Sequence, residues 1–314
     1  MKDVSRSPDG ARRPAGPRLR DVIEGVAAEL SAAGIESPGI DAPRLVATAL
    51  DTTGAELRAN PDRPLSPGEG GAIARAVGRR LNREPLQHIE GAVEFRQLRL
   101  GCDPRALIPR PETEELIDVV ASAVDPSPPG PAGHRAPPLS LALEIGVGSG
   151  AISLALLHEH LVGEIVAIDL SDAALSLARE NAVRTGLADR LHLRLCGPDV
   201  FDAIESGESF DAVISNPPYV PSDMIAGLEP EVRDHEPRIA LDGGPDGLAV
   251  VRTIVAGAGA VLRDGGWIFL EIGSDQGPAV EGVFGTVAGW GPVTFEHDLS
   301  GRTRFTVSRW EGRN

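Results

Sequence analysis

Four consecutive residues, Asn216-Pro217-Pro218-Tyr219, carry the most readable chemistry in the chain. They follow a short apolar run, Phe210 to Ser215, that reads as a buried strand. An asparagine side chain offers a carbonyl that accepts one hydrogen of a planar NH2 group, and the backbone carbonyl of Pro217 can accept the other. Proline brings no competing N–H, and two in succession fix the loop. Tyr219 can lie flat against an amide plane. Such a site suits a nitrogen that is a poor nucleophile, because the reaction then rests on aiming its lone pair. Orientation of this kind can be worth roughly 7–11 kcal/mol of barrier. No strong general base is needed, since the proton becomes acidic only as the new bond forms. The alternative reading is a rigid turn after a strand.

A second group lies upstream. Leu141 to Ile145 reads as a strand that runs into Gly146-Val147-Gly148-Ser149-Gly150. Glycines there allow a tight turn and close approach of backbone to a ligand. Asp169 ends another apolar run, Ile165 to Ile168, 19 residues beyond Gly150. An acid at that place can accept from both ribose hydroxyls of an adenosine; its alternative role is a helix cap with Ser171. The pattern is Gly-x-Gly-x-Gly and not the dinucleotide fingerprint Gly-x-Gly-x-x-Gly, which favours S-adenosylmethionine over NAD. Glu144, at the strand terminus, can orient the amino-acid end of such a cofactor or cap loop amides. Asp199 and Val200 follow a third strand. Asp199 can accept from an adenine amino group and Val200 can pack on the ring, or the pair forms a turn that starts a helix. Together the two groups point to methyl transfer from S-adenosylmethionine to a planar nitrogen.

The elements needed to position these residues are legible in the periodicity. Leu19, Val22, Ile23, Val26 and Leu30 fall at helical spacing, with Gly34 as a stop. Asp41 to Leu50 reads as a second helix. Ser66-Pro67-Gly68-Glu69 is a capping box that opens a third, through Ile73, Val77 and Leu81. Residues 18–88 are therefore expected to form a small helical bundle, after a disordered tail over 1–17. The alternation of Val93, Phe95, Leu98 and Leu100 predicts a β-hairpin linker within 89–109. A helix opens at Pro109 to Glu115, with its acids in the first turn. Residues 125–139 hold six prolines and two glycines between Asp125 and Pro138 and predict a flexible loop.

Strands at 141–145, 164–168, 191–195, 211–215 and 267–272 then alternate with helices at 151–157, 173–185 and 250–262. Two further strands follow at 293–296 and 304–308. This predicts an α/β domain over 110–314: a mostly parallel, Rossmann-like sheet of seven strands with an antiparallel edge.

Composition limits the partners. Of the 314 residues, 41% are hydrophobic and 24% charged, as in a soluble globular protein. The formal net charge of −16 opposes affinity for a phosphate backbone, so no direct nucleic-acid partner is expected. No stretch of about 18 uninterrupted apolar residues predicts a membrane span. Cys102 and Cys196 are far apart, lack metal-ligand spacing and make no disulfide framework, so no metal is expected and a reducing, cytoplasmic location is.

Several blocks in order resemble the HemK/PrmC release-factor glutamine N5-methyltransferases, over roughly residues 18–310. These are Arg83 to Ile89 with Gly91, Pro109-Arg110-Pro111-Glu112-Thr113-Glu114, Gly146 to Gly150 with Asp169, and Ser215 to Tyr219. Glu236-Pro237, Ala240-Leu241, Gly243-Gly244 and Asp246-Gly247 complete them. The resemblance implies a class I S-adenosylmethionine-dependent methyltransferase domain whose loop 146–150 lines the cofactor site. It also implies a helical N-terminal domain that grips a protein substrate. The implied acceptor is the glutamine of the Gly-Gly-Gln motif in class 1 peptide release factors. Val147 stands where the family usually has threonine, His88 where it has tyrosine, and the proline-rich stretch resembles an insertion. The Asn-Pro-Pro-Tyr motif alone is shared with adenine-N6 DNA methyltransferases and some RNA guanine-N2 enzymes. The alternatives are therefore a nucleic-acid amino group, or a paralogue acting on another protein or a small molecule. A nucleic-acid enzyme would need a basic recognition domain, which the first 100 residues do not supply.

Overall fold

The computed structural model describes residues 16–124 and 136–312. Residues 1–15 of the expected tail and 125–135 of the expected proline-rich loop lie outside them. The chain divides into two compact units, Met1–Glu90 and Gly91–Asn314.

The first unit is all helical: α1 (Leu19–Ala32), α2 (Pro38–Ala49), α3 (Gly54–Ala59), α4 (Pro67–Leu81) and α5 (Leu86–Glu90). Its core joins Leu19, Val26, Leu30, Leu45, Val46, Ile73 and Val77, the residues at helical spacing. The expected capping box is present: Ser66 Oγ accepts from Glu69 N, and the Glu69 carboxylate accepts from Ser66 N. Thr53 and Glu56 form a second box on the short α3, which periodicity does not detect in six residues. The buried Arg80 donates to the buried Asp41 at 2.7 Å, so neither charge lacks a partner.

The second unit begins with the hairpin, β1 (Ala92–Phe95) and β2 (Leu98–Gly101). Its pairing puts Phe95 opposite Leu98 and Val93 opposite Leu100, and Arg96 takes φ +52° in the turn. The hairpin, expected as a linker, belongs to this unit. Two anchors explain why. Arg96 grips Glu159 with two nitrogens, at 2.7 and 2.8 Å. The buried Asn181 accepts from Gly101 N at 2.6 Å and donates to Gly101 O at 3.1 Å and to Ser149 O at 2.9 Å.

Then follow α6 (Pro111–Val124), β3 (Leu139–Ile145), α7 (Ala151–His158), β4 (Val162–Asp169), α8 (Asp172–Thr185), β5 (Leu191–Leu195) and β6 (Phe210–Ser215). The chain continues through α9 (Pro230–His235), α10 (Ala249–Ala258), β7 (Leu262–Glu271), α11 (Gly277–Gly285), β8 (Thr294–His297) and β9 (Thr303–Arg309). The seven-stranded sheet has the order β5-β4-β3-β6-β7-β9-β8, with β9 antiparallel to both neighbours and the other pairs parallel. This is the α/β sheet with an antiparallel edge that the alternation of elements predicts. Strand residues divide by period two. Ala142, Ala212, Ile214 and Phe269 join one apolar cluster with Leu116, Ile117 and Leu154, while Leu143, Val213, Ile268 and Leu270 join the other with Ile254 and Val255.

The helix read as 250–262 stops at Ala258, and Leu262 begins β7. The apolar pattern runs on through Val261 and Leu262, so periodicity alone cannot see the end. The Trp310 ring fills the space a Cβ at Gly259 would need. Helix α9 and helix α11 are additions that the sequence reading lacks.

Asn181 joins the hairpin to the loop after β3, so Asn181→Ala should remove three hydrogen bonds and strand Gly101 N. A loss of about 3 kcal/mol in unfolding free energy is expected by denaturant titration; a loss below about 1 kcal/mol would show that the Asn181 bonds do not anchor the hairpin.

Candidate active site

The chain leaves β3 toward β4 and β5 on one side, then returns to β6 on the other. The strand order therefore reverses between β3 and β6, and ligands of such sheets lie beyond the carboxyl ends at that place. The Ser215 hydroxyl donates to Ile145 O at 2.6 Å and holds the two ends together. A cavity of about 600 Å³ opens there. Its walls include Glu144, Gly146, Val147, Gly148, Ser149, Asp169, Val200, Asn216, Pro217 and Pro218. The glycine loop and the Asn-Pro-Pro segment, some 70 residues apart in sequence, thus share one space.

The glycine loop is pinned from below. Gly146 N and Val147 N both donate to Ile168 O, at 2.8 and 3.1 Å. Gly148 N donates to one Asp169 oxygen at 2.9 Å, and Ser171 N to the other at 2.8 Å. Asp169 therefore shapes the loop and reaches Ser171 as well, while its remaining lone pairs are still able to accept from a ligand. Burial raises its pKa, against the pull of those amides. Gly146 has φ +78°, and nothing stands within 4 Å of where a Cβ would be, so its face is bare backbone over open space. Gly150 is the N-cap of α7, with φ +85°.

Glu144 is 1% exposed. It accepts from Ser153 N at 3.1 Å and from the Ser153 hydroxyl, which makes it an acid that caps the start of α7. Burial pushes its carboxyl up to about 8. Val200 is buried and lines the cavity, but Asp199 does not: its carboxylate caps the short turn Val200–Ala203 by accepting from Phe201 N at 3.1 Å. The turn expected as the alternative at Asp199 is present, with one carboxylate oxygen engaged. Cys196 also lines the cavity, and burial pushes its thiol up to about 11.

The Asn-Pro-Pro-Tyr loop is held by residues whose local spacing does not mark them. Asn216 Nδ2 donates to Thr113 Oγ1 at 3.1 Å, and that hydroxyl donates to Glu271 Oε2 at 2.7 Å. Tyr219 does not line the cavity; its hydroxyl turns back toward Glu271 at 3.4 Å, and burial pushes it up to about 12. The hydroxyl contact fixes one end of the Tyr219 ring beside Glu271. Gln276 Nε2 donates to Tyr219 O and to Gly247 O, at 3.0 and 3.3 Å. A Cβ at Gly247 would stand 2.3 Å from Tyr219 O, so the loop fits only against glycine. The segment Pro109 to Glu114 meets the Glu236-Pro237 block directly: Arg110 donates to the buried Glu236 at 2.6 Å, and Ile108 N to the same carboxylate at 3.3 Å. Thr113 and Glu236 fell inside blocks noted for resemblance. Nothing in their local spacing marks a partner more than 100 residues away.

A seven-stranded sheet of this order, with a glycine loop and an acid at the ends of its first two parallel strands, defines a class I S-adenosylmethionine-dependent methyltransferase. The fold is similar to the catalytic domain of human METTL16 solved with an RNA hairpin. The two share 17% identity and a TM-score of 0.51, over 80% of this chain and 83% of that one, a likeness of fold alone. The family model of the PrmC N-terminal domain matches residues 21–91, and that of the methyltransferase small domain residues 137–226. The release factor glutamine methyltransferase of Moorella thermoacetica is 39% identical over 286 residues, covering 91% of this chain and 96% of that protein. The same enzyme of Caulobacter vibrioides is 42% identical over 278 residues, covering 88% and 91%. The chain belongs to the PrmC/HemK family of release factor glutamine methyltransferases.

The residues present fit S-adenosylmethionine. The cavity lies within the range of about 300–1,000 Å³ usual for small-molecule sites. Bare backbone at Gly146, the carboxylate of Asp169 and the apolar wall at Val200 and Ile152 suit an adenosine with a charged amino-acid tail.

Glu144 gives this site a pH signature. The folded protein keeps its proton up to about pH 8, whereas the unfolded chain loses it near 4.5. Stability from this group therefore falls as pH rises between those values. Glu144→Gln keeps an acceptor for Ser153 and should lack that slope. Its unfolding free energy relative to the parent should grow from pH 5 to pH 8 in denaturant melts. A difference that does not change with pH would mean that Glu144 ionises normally in the fold.

Proposed function

We propose that this protein transfers the methyl group of S-adenosylmethionine to the side-chain amide nitrogen, N5, of the Gly-Gly-Gln glutamine of class 1 peptide release factors. The observation that carries this reading is the fixed amide of Asn216. With Nδ2 committed to Thr113, Oδ1 is the atom left to accept from an incoming NH2 group.

S-adenosylmethionine supplies an electrophilic methyl carbon on a positively charged sulfur. The protein does the rest by position. Asn216 Oδ1 accepts one hydrogen of the glutamine amide and the carbonyl of Pro217 accepts the other, which fixes the nitrogen and directs its lone pair into the cavity. The two prolines and the Gln276 clamp keep that pair of acceptors rigid. The N–C bond forms as the S–C bond breaks, the electron pair stays with sulfur, and the nitrogen then sheds a proton to solvent. The helical unit, which the PrmC N-terminal domain describes, serves in this reading to grip the release factor. The setting is the cytoplasm, where release factors work; among the described residues no helix is long and apolar enough to cross a membrane.

Protein and methyl-labelled S-adenosylmethionine, incubated with a release factor, should label the intact factor and spare one whose Gly-Gly-Gln glutamine is alanine. Label on duplex DNA or RNA instead would overturn the reading. Asn216→Ala should lower kcat by about 10²–10³, the effect of removing one preorganised polar contact to a reacting group, with donor affinity nearly unchanged by calorimetry. Equal loss of donor affinity would move Asn216 to the cofactor site.

A further inference from the structure

We infer that Glu271 is a positioning residue for methyl transfer: through the Thr113 hydroxyl it dictates which atom of the Asn216 amide faces the acceptor. The inference rests on the preceding reading of Asn216 as the acceptor of a glutamine N–H.

The argument is one of hydrogen-bond polarity. An asparagine side chain is nearly symmetric in shape, and a half-turn of its amide exchanges oxygen for nitrogen. With nitrogen outward, the site would present N–H to the N–H of the incoming amide, and the pair would repel. Something must therefore hold the amide one way round. A threonine hydroxyl has a single hydrogen. Thr113 spends it on Glu271 Oε2 at 2.7 Å, so toward Asn216 it can only accept, and it does so from Nδ2 at 3.1 Å. An ionised carboxylate is acceptor-only, so the chain Glu271–Thr113–Asn216 has one direction and ends with Oδ1 outward.

The placement is built. Glu271 is 1% and Thr113 4% exposed, and they come from different elements, the end of β7 and the first turn of α6. The groups facing Glu271 are Thr113 and Glu112 from α6, Tyr219 from the loop after β6, and Arg304 from β9. Thr113, Tyr219 and Arg304 favour its charged form; burial and Glu112 oppose it, and burial brings the carboxyl up to about 7. A protonated Glu271 can donate to Thr113 and so release the hydroxyl hydrogen toward Asn216. The direction of the chain is then lost.

Three variants test this, measured as kcat, KM for a release factor, donor affinity by calorimetry and thermal midpoint. Thr113→Val keeps the shape without the hydroxyl, Thr113→Ser restores the hydroxyl, and Glu271→Gln removes the charge. In Thr113→Val, kcat should fall by about 30-fold or more with donor affinity within about twofold, and in Thr113→Ser it should return to within about threefold of the parent. In the parent, kcat should fall below about pH 7. In Glu271→Gln that acidic limb should vanish, from a plateau lowered by about tenfold. Unchanged kcat in Thr113→Val, equal failure of Ser and Val, or an acidic limb that persists in Glu271→Gln each overturns the inference. A parent that methylates no release factor overturns the preceding reading and this one with it; an active parent with an indifferent Thr113 overturns this one alone.

Discussion

Everything at this site depends on two parallel strands that end level and side by side. β3 delivers the glycine loop and β6 delivers Asn-Pro-Pro-Tyr, and the sheet reverses its order between them. Backbone hydrogen bonds along the pair set their register, and the bond from Ser215 Oγ to Ile145 O closes it at the last residue. A slip of one residue would turn every side chain to the other face. It would also break the alternation by which Leu143 and Val213 enter one core while Ala142 and Ala212 enter the other. The packing of the two apolar layers and the geometry of the transfer loop are therefore one constraint.

Around that pair of strand ends the protein buries an unusual amount of acid. Glu144, Glu236 and Glu271 are all nearly inaccessible, and burial raises the pKa of each. A lone buried carboxylate is costly, so each is supplied with donors. Glu144 takes Ser153, Glu236 takes Arg110 and Ile108 N, and Glu271 takes Thr113 with Tyr219 at longer range. Two of these acids join segments far apart in sequence. Glu236 ties the block after the transfer loop to the segment before α6, and Glu271 ties the end of β7 to α6. The cavity wall is thus stiffened by polar contacts at the places where an apolar wall could slide. A rigid wall suits a reaction that relies on aim instead of a strong base.

Much of this was legible before any coordinates. The period of the apolar residues located most of the parallel strands and their helices, because that pattern is local. The capping box at Ser66 and Glu69 was readable for the same reason, since all its partners lie within four residues. The end of α10 was not, because Val261 and Leu262 continue the apolar run past Ala258. The cap at Asp199 was readable as a turn, since its partner, the amide of Phe201, lies two residues on.

The sequence by itself determined the class of fold, the family and the loops that meet at the cavity, since glycine, proline and asparagine act through backbone freedom and side-chain chemistry that each residue carries with it. Only the tertiary structure decided that Asn216 Nδ2 meets Thr113, that the Tyr219 hydroxyl turns toward Glu271, and that Thr113, at the cavity wall, is backed by the buried Glu271. Those outcomes turn on hydrogen bonds that span 52, 103 and 158 residues. A bond of that reach exists only once the sheet has brought its ends together, so no local pattern can announce it.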